Sequence, residues 1–195
     1  MSRDVRGACA LYYSYQVKDA SGRITVPFRR RTAQSFLIGF ATWLALKMSL
    51  LQPQSVTDTG TVSRTIRGLS SIATTIASGT STGGLVVGTG TNAVALSDTA
   101  LQTQIAHGTG AAQLQYGASV VALPSSDSTS TSCILTRVFT NAYGGTITVR
   151  EIGVYAVMSD TAGDGRNVCI VRDTVTIALL NGDQLTLNYI LKTTA

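Results

Sequence analysis

The chain has one histidine, His107, so any mechanism that needs an imidazole general base would depend on it. A Ser-His-Asp or Cys-His arrangement requires that histidine beside a nucleophile. His107 instead precedes Gly108 in a polar stretch, where a hydrogen bond within its own loop is the more common role. The sequence therefore predicts a non-enzymatic protein with no catalytic residues.

Three cysteines stand at widely spaced positions, Cys9, Cys133 and Cys169. Their number is odd, no Cys-x-x-Cys pair occurs, and one histidine is too few to complete a zinc site, so a metal site or a disulfide framework is disfavoured. Cys133 and Cys169 lie in runs that resemble strands, which favours buried reduced thiols over a cross-strand bridge. We predict no metal and no cofactor.

Acidic residues number ten, and Glu151 is the sole glutamate. The segment from Asp160 to Gly165 could hold calcium but lacks the alternating oxygen ligands of an EF-hand, so turn chemistry is favoured. The neighbours Arg150-Glu151 and Arg172-Asp173 occur within apolar strand sequence, where a charge needs a partner. We expect two ion pairs at the rim of a sheet, with a subunit contact as the alternative.

Gly88 and Gly90 follow an apolar run, and the sequence at this point matches the pattern of a dinucleotide-binding motif. That site also needs a crossover helix and an acidic residue about 20 positions further on. Neither is evident, so we interpret this run as a glycine turn that allows close approach of backbone segments.

Tyrosines and arginines are concentrated near the N-terminus, at Tyr12, Tyr13 and Tyr15 and in the run from Arg29 to Arg31. Aromatic rings and arginines can bind nucleic acid by stacking and by neutralising phosphate. The same residue types are enriched at protein interfaces. Because the net charge is only +5, we favour the interface and consider nucleic acid an unlikely partner.

Few residues are charged (13%) and many are hydrophobic (44%), while glycine, serine and threonine are abundant. A surface completed by hydroxyl groups rather than by ions suits a protein packed among neighbouring subunits. The length allows one domain of ordinary size and a smaller appendage.

The N-terminal part, 1–53, is predicted to contain a hairpin and one long apolar helix. Strand-like runs cover 9–17 and 23–28 with a turn between them, and the helix is expected from Thr32 to Leu51, ahead of Pro53. The stretch from Ser35 to Leu51 is apolar almost all round but, at about 17 residues, short for a membrane span. We expect this helix to be buried against partner subunits and consider membrane contact an unlikely alternative. The subunit-interface candidates are Tyr12, Tyr13, Tyr15, Arg29, Arg30, Arg31, Phe36, Phe40, Trp43 and Leu44.

The remainder is predicted to be a Ser/Thr-rich linker or arm, 54–82, followed by an antiparallel β-sandwich, 83–195, of jelly-roll-like or Ig-like type. Short apolar runs recur there at hairpin spacing, separated by Asn, Gly and Asp turns, and no helices alternate with them. Asn181-Gly182 indicates a tight hairpin. A short helix is expected from Ser97 to Ala106.

Alternation along the strands predicts which side chains face inward. Ile147 and Val149 share one parity, whereas Ile152 and Val154 continue on the other, which indicates a β-bulge near Arg150-Glu151. In the last strand, Leu185, Leu187, Tyr189 and Leu191 share one face.

Several short motifs follow one another in this half of the chain. They are VVGTG (86–90), DTALQTQIAHG (98–108), LQYG (114–117), TRVFTN (136–141), ITVREIGVY (147–155), RD (172–173) and LTLNY (185–189). As an ordered set they resemble a group of tailed-bacteriophage virion structural proteins of the head, neck or tail.

That resemblance implies a non-enzymatic place in the virion, with function exerted through contacts to other virion proteins and to copies of the same chain. It brings no catalytic residues with it. A receptor- or glycan-binding module displayed on the particle is the first alternative, and a membrane-associated protein that uses 35–51 is the second.

Overall fold

The computed structural model describes residues 9–33, 36–49, 53–67 and 73–194. Within these ranges the chain is mainly β, with one α-helix of 12 residues. The elements in chain order are β1 (Cys9–Lys18), β2 (Ile24–Thr32), α1 (Ile38–Ser49), β3 (Gln54–Thr57), β4 (Ser63–Ile66), β5 (Gly84–Gly88), β6 (Ala106–His107), β7 (Gln113–Tyr116), β8 (Val120–Val121), β9 (Ser125–Ser126), β10 (Ser130–Thr140), β11 (Ile147–Ser159), β12 (Gly165–Leu179) and β13 (Gln184–Thr194).

The described strands form two main sheets that enclose one apolar core. The larger sheet has the order β2-β1-β13-β10-β7-β6, with β8 and β9 also paired to β10, and the smaller has the order β12-β11-β5. Leu185 and Leu187 from the larger sheet and Ile152 and Val154 from the smaller one belong to the same buried cluster. The mainly-β, sandwich-like character predicted from the sequence is therefore confirmed.

The N-terminal hairpin is part of the larger sheet. β1 pairs antiparallel with β13 over its whole length, from Cys9 opposite Thr193 to Lys18 opposite Gln184. β2 then pairs with β1 and is the outermost strand on that side. The hairpin and the C-terminal strands consequently share one sheet and one core.

The prediction of one long apolar helix is wrong. β2 continues through the arginine run to Thr32, which pairs with Tyr12. Phe36 then forms a β-bridge to Val171, so the chain is still extended against β12 just before α1 begins. These tertiary hydrogen bonds outweigh helix propensity and confine the helix to Ile38–Ser49.

The short helix expected from Ser97 to Ala106 is also not formed. The amide N–H of Leu101 donates to the hydroxyl of Tyr155 at 2.7 Å, and the N–H of Thr103 donates to Glu151 at 2.7 Å. Because these donors are used by side chains of β11, they are not available for helical hydrogen bonds.

The described residues of 54–82 pack on their own chain. β3 and β4 form a two-stranded hairpin, and Thr59 donates its N–H to the carbonyl of Asn167 at 2.9 Å. Further along, Ala73 forms a bridge to Val157. This part of the segment is thus held against the smaller sheet.

A β-bulge occurs at the predicted position near Arg150-Glu151, but its extra residue belongs to β12 and not to β11, the strand in which the change of parity predicted it. The pairing of β11 with β12 shifts register between Val149 and Glu151. Val149 and Ile152 are both fully buried although they differ in parity, while Arg150 is exposed. Two steps along β11, from Val149 to Glu151, span three along β12, from Ile177 to Thr174, so the inserted residue is in β12. The parity of the buried residues changes because β11 is covered on both faces from Glu151 to Ala156.

Three hairpin loops share one local design, which begins with Asp19, Asp58 or Asp160. In each, the aspartate carboxylate accepts two backbone N–H groups of the loop and pairs with an arginine that follows. Hydrogen bonds to Arg166 and to the loop backbone, which outweigh partial desolvation, lower the pKa of Asp160. The turn predicted at Asp160 is confirmed.

The third residue after each aspartate has positive φ: Gly22 (84°), Thr61 (63°) and Gly163 (95°). A β-branched side chain is strained in this region, so Thr61→Gly should raise the free energy of unfolding by about 0.5–1 kcal/mol. Urea denaturation measures the change. The reciprocal variant, Gly22→Thr, should lower stability, and a Thr61→Gly protein less stable than wild type would contradict the prediction.

Candidate functional site

His107 and the cysteines do not form a catalytic arrangement. Nδ1 of His107 in β6 accepts the backbone N–H of Tyr116 in β7 at 3.0 Å, so its hydrogen bond joins two short strands rather than lying within one loop. Cys9 is exposed, Cys133 is half-buried rather than buried, and Cys169 is buried. Burial raises the pKa of the Cys169 thiol, which makes it a poor nucleophile. Among the described residues, no group of histidine, cysteine and acidic side chains is arranged to hold a metal ion.

The glycine run after β5 serves close packing, as predicted. A Cβ atom at Gly88 would lie 2.5 Å from Oε1 of Glu151, and one at Gly90 would meet the same atom at 2.5 Å. The N–H of Gly90 donates to that oxygen at 3.0 Å. The glycines therefore admit a buried carboxylate rather than a nucleotide.

Glu151 and Arg172 pair with each other in the interior, which corrects the prediction of two ion pairs at the sheet rim. Nε of Arg172 donates to Oε2 of Glu151 at 3.0 Å, and Nη1 donates to Asp98 at 2.7 Å. Although burial alone would lower it, the hydrogen bonds to Asp98 and Glu151 raise the pKa of Arg172. Asp173 instead accepts the hydroxyl of buried Tyr189 at 2.6 Å.

Arg137 is a second buried cation, and sequence reasoning did not identify it. It is fully buried in β10, where Nε and Nη1 donate to the carbonyls of Gly117, Gly83 and Leu85 at 2.8 to 2.9 Å. Its guanidinium lies over the ring of Tyr116, 4.7 Å from the centroid. The sequence did contain one indication of its burial. Arg137 stands two positions from Leu135 and two from Phe139, so it shares the inward face of the strand with them.

The tyrosines and arginines of the N-terminal hairpin divide between the two faces of the larger sheet. Tyr13 and Tyr15 are buried and face the core, and the ring of Tyr13 packs 6.1 Å from that of Tyr189. Tyr12 lies on the other face, half-exposed. The predicted interface tyrosines therefore do not form one surface.

The arginine run of β2 is exposed throughout and two of its members cover tyrosines. Arg30 lies 4.6 Å from the ring centroid of Tyr12 on one face, and Arg31 lies 5.4 Å from that of Tyr15 on the other. Cation–π contacts of this kind hold the guanidinium groups in place. They also occupy the ring faces that a nucleic-acid base would need for stacking.

β2 carries exposed apolar side chains as well, at Ile24, Val26 and Phe28. As an outer strand it could pair with another chain, but Pro27 lacks an N–H and the register with β1 shifts nearby. Both features discourage strand addition. Any contact made here is consequently through side chains.

Helix α1 packs on β12 and exposes apolar side chains at several of the positions that the structure describes. Phe36 and Phe40 stack with ring centroids 4.0 Å apart and pack against the core, so they are intramolecular contacts. Leu44 is 42% exposed. The side chain of Trp43 lies outside the described part of the chain.

Among the side chains of α1 that the structure describes, the exposed ones are Ile38, Ala41, Leu44 and Ala45, which follow helical spacing. Within the described residues, no helix combines the length and apolar character needed to span a membrane.

No protein family, curated protein or solved structure matches this chain. The candidate functional features are therefore surfaces of this molecule itself: the uncharged stripe of α1 and the arginine-rich side of β2.

Proposed function

We propose that this chain is a non-enzymatic structural subunit of a tailed-bacteriophage virion that assembles with copies of itself through helix α1. The observation that carries the assembly proposal is the exposed stripe of Ile38, Ala41, Leu44 and Ala45, hereafter the α1 stripe. A helix in a monomer normally exposes polar residues on its outer face. An apolar outer face favours burial against a second protein.

A second copy of the same chain is the occupant that charge favours at this stripe. The protein carries a net charge of +5, so two copies repel each other wherever their arginines meet. None of the four residues of the stripe is charged, and the half-exposed Lys47 follows Leu44 by one turn. In an antiparallel pair of α1 helices related by a twofold axis, the two Lys47 side chains lie at opposite ends of the contact, so like charges are not brought together.

Placement in the virion rests on the ordered motifs between Val86 and Tyr189 and on the low content of charged residues. Mass spectrometry of purified particles from a phage that encodes this chain tests it directly. We expect the chain in the particle at many copies. Its restriction to the soluble lysate of infected cells would contradict the virion role while leaving self-assembly open to its own test.

Self-assembly predicts that Leu44→Glu converts oligomers to monomers. A carboxylate buried in an apolar contact should weaken association at least about 100-fold in Kd. Sedimentation velocity over a range of protein concentrations measures this change.

The matched control is Leu180→Glu. Leu180 is 61% exposed in the turn after β12. Helix α1 contacts β12 at Cys169, whose carbonyl lies against Gly39, and Leu180 follows Cys169 by eleven residues. The Leu180→Glu substitution changes the charge by the same amount as Leu44→Glu and should leave the oligomer intact. A wild-type protein that is monomeric at every concentration, or equal effects of the two variants, would contradict assembly through α1.

A further inference from the structure

Most arginines of the described part fall into two groups according to their partners, while Arg67 and Arg137 donate to backbone carbonyls. Arg23, Arg64, Arg166 and Arg172 form ion pairs with aspartates or with Glu151. The exposed arginines of β2 and Arg150 of β11 form no ion pair within the described residues. Arg29, Arg30, Arg31 and Arg150, four exposed arginines without an ion pair in the described part, thus lie on two strands, β2 and β11.

Arg31 and Arg150 meet at one groove, although they belong to different sheets. The groove has a volume of about 470 Å³ and is lined by Tyr15, Arg31, Thr91, Arg150, Thr174, Val175 and Thr176. No acidic side chain is among these residues. It therefore combines two cationic groups with several hydroxyl groups, which is suitable chemistry for an anionic ligand.

The fold places both arginines at the groove. Arg150 follows buried Val149 and precedes buried Glu151, so alternation along β11 directs it outward, opposite the bulge of β12. Arg31 is held over the ring of Tyr15. Positions fixed before binding reduce the entropy lost when a ligand is captured.

We infer that this groove binds the carboxylate groups of an extended acidic segment of a partner protein. The planar guanidinium group matches a carboxylate through two parallel hydrogen bonds. A second copy of this chain is a poor occupant because its charge is also positive. Nucleic acid is disfavoured because Tyr13 and Tyr15 are buried and Arg30 covers Tyr12, so stacking platforms are lacking.

The groove is separate from the α1 stripe, since none of the four stripe residues is among the described residues that line it. Its ligand is therefore a different partner from the one that the proposed function requires. Variants of Arg31 and Arg150 should leave the oligomeric state unchanged, which makes failure of this inference distinguishable from failure of the proposed assembly.

The test is binding of a fluorescently labelled poly-glutamate peptide, measured by polarisation at low ionic strength. We expect Arg31→Gln and Arg150→Gln each to raise Kd at least about tenfold. Arg23→Gln is the matched control, because it removes the same charge from an exposed arginine that pairs with Asp19 in a turn. It should change Kd less than about twofold. Thermal unfolding of each variant verifies that these exposed substitutions leave the fold intact.

Arg150→Lys tests whether the planar shape of the guanidinium group matters in addition to its charge. Lysine keeps the positive charge but cannot donate two parallel hydrogen bonds to a carboxylate. We expect the Kd of this variant to lie between those of wild type and Arg150→Gln. Absence of peptide binding by the wild type would overturn the inference. So would an equal loss in Arg23→Gln, or tighter binding of a single-stranded oligonucleotide of matched charge with the same dependence on Arg31 and Arg150.

Discussion

Replacing Glu151 with glutamine is expected to lower the free energy of unfolding by about 3–5 kcal/mol, although the two side chains have nearly the same shape. Oε1 of Glu151 accepts the N–H groups of Gly90 and Thr103, and Oε2 accepts the N–H of Gln102 and Nε of Arg172, all within 2.7 to 3.0 Å. Each oxygen of Glu151 therefore faces two donors. The NH2 group of a glutamine side chain would meet one of these pairs of donors in either orientation of its amide. The substitution also leaves the charge of buried Arg172 with only Asp98 as its acidic partner.

Chemical denaturation measures the loss, and hydrogen exchange locates it. The amides of Gly90, Gln102 and Thr103 should be strongly protected in the wild type and should exchange faster in Glu151→Gln. Asp164→Asn is the control, since Asp164 is 63% exposed where it pairs with Arg166. An exposed pair contributes about 0–1 kcal/mol. Equal stability losses in the two variants would mean that the buried carboxylate does not organise these loops.

Replacing Arg137 with methionine is expected to destabilise the fold by about 3–5 kcal/mol as well. Methionine fills similar volume but donates no hydrogen bonds, so the carbonyls of Gly83, Leu85 and Gly117 lose their partner in the interior. Thr80 also accepts from this guanidinium. The single side chain thus ties the segment before β5 to β10 and to the end of β7.

Burial lowers the pKa of Arg137 to about 10, so the guanidinium remains charged at neutral pH. Its charge is accommodated by carbonyl dipoles and by the rings of Tyr116 and Phe139. Arg137→Lys keeps the charge but has three donors on one atom, and we expect a smaller loss than for methionine. Arg23→Met serves as the exposed control. A melting temperature for Arg137→Met within a few degrees of wild type would show that these carbonyls find other partners.

The strands and turns of this protein were largely predictable because their signals are local. The run from Cys133 to Thr140 lies within β10, and the turn at Asn181-Gly182 separates β12 from β13. The change of parity between Val149 and Ile152 predicted an irregularity at the right position, but it could not show that the inserted residue lies in the partner strand β12.

The ion-pair partner of Glu151 could not be predicted from the residues adjacent to it in the sequence. Arg150 adjoins it in sequence, but adjacent strand residues point to opposite faces. Glu151 is paired across the strands with Thr174, which places Arg172 diagonally beside it on the same face. That register exists only once β11 and β12 have paired.

The helix boundaries depended on tertiary contacts for the same reason. Residues from Thr32 to Leu51 have helical propensity throughout their apolar part, but Thr32 pairs with β1 and Phe36 bridges to β12. Hydrogen bonds to distant strands replaced those of the first helical turns. The pairing of β1 with β13 likewise joins residues from opposite ends of the chain.

The sequence by itself determined that this protein is mainly β, where several of its turns occur and that Leu185, Leu187 and Tyr189 point inward from the last strand, because these properties depend on residues a few positions apart. Only the tertiary structure decided which charges are buried together, which arginines of the described part form no ion pair and how two sheets bring Arg31 and Arg150 to one groove. Those outcomes depend on register between strands far apart in the chain, and local patterns carry no information about that register.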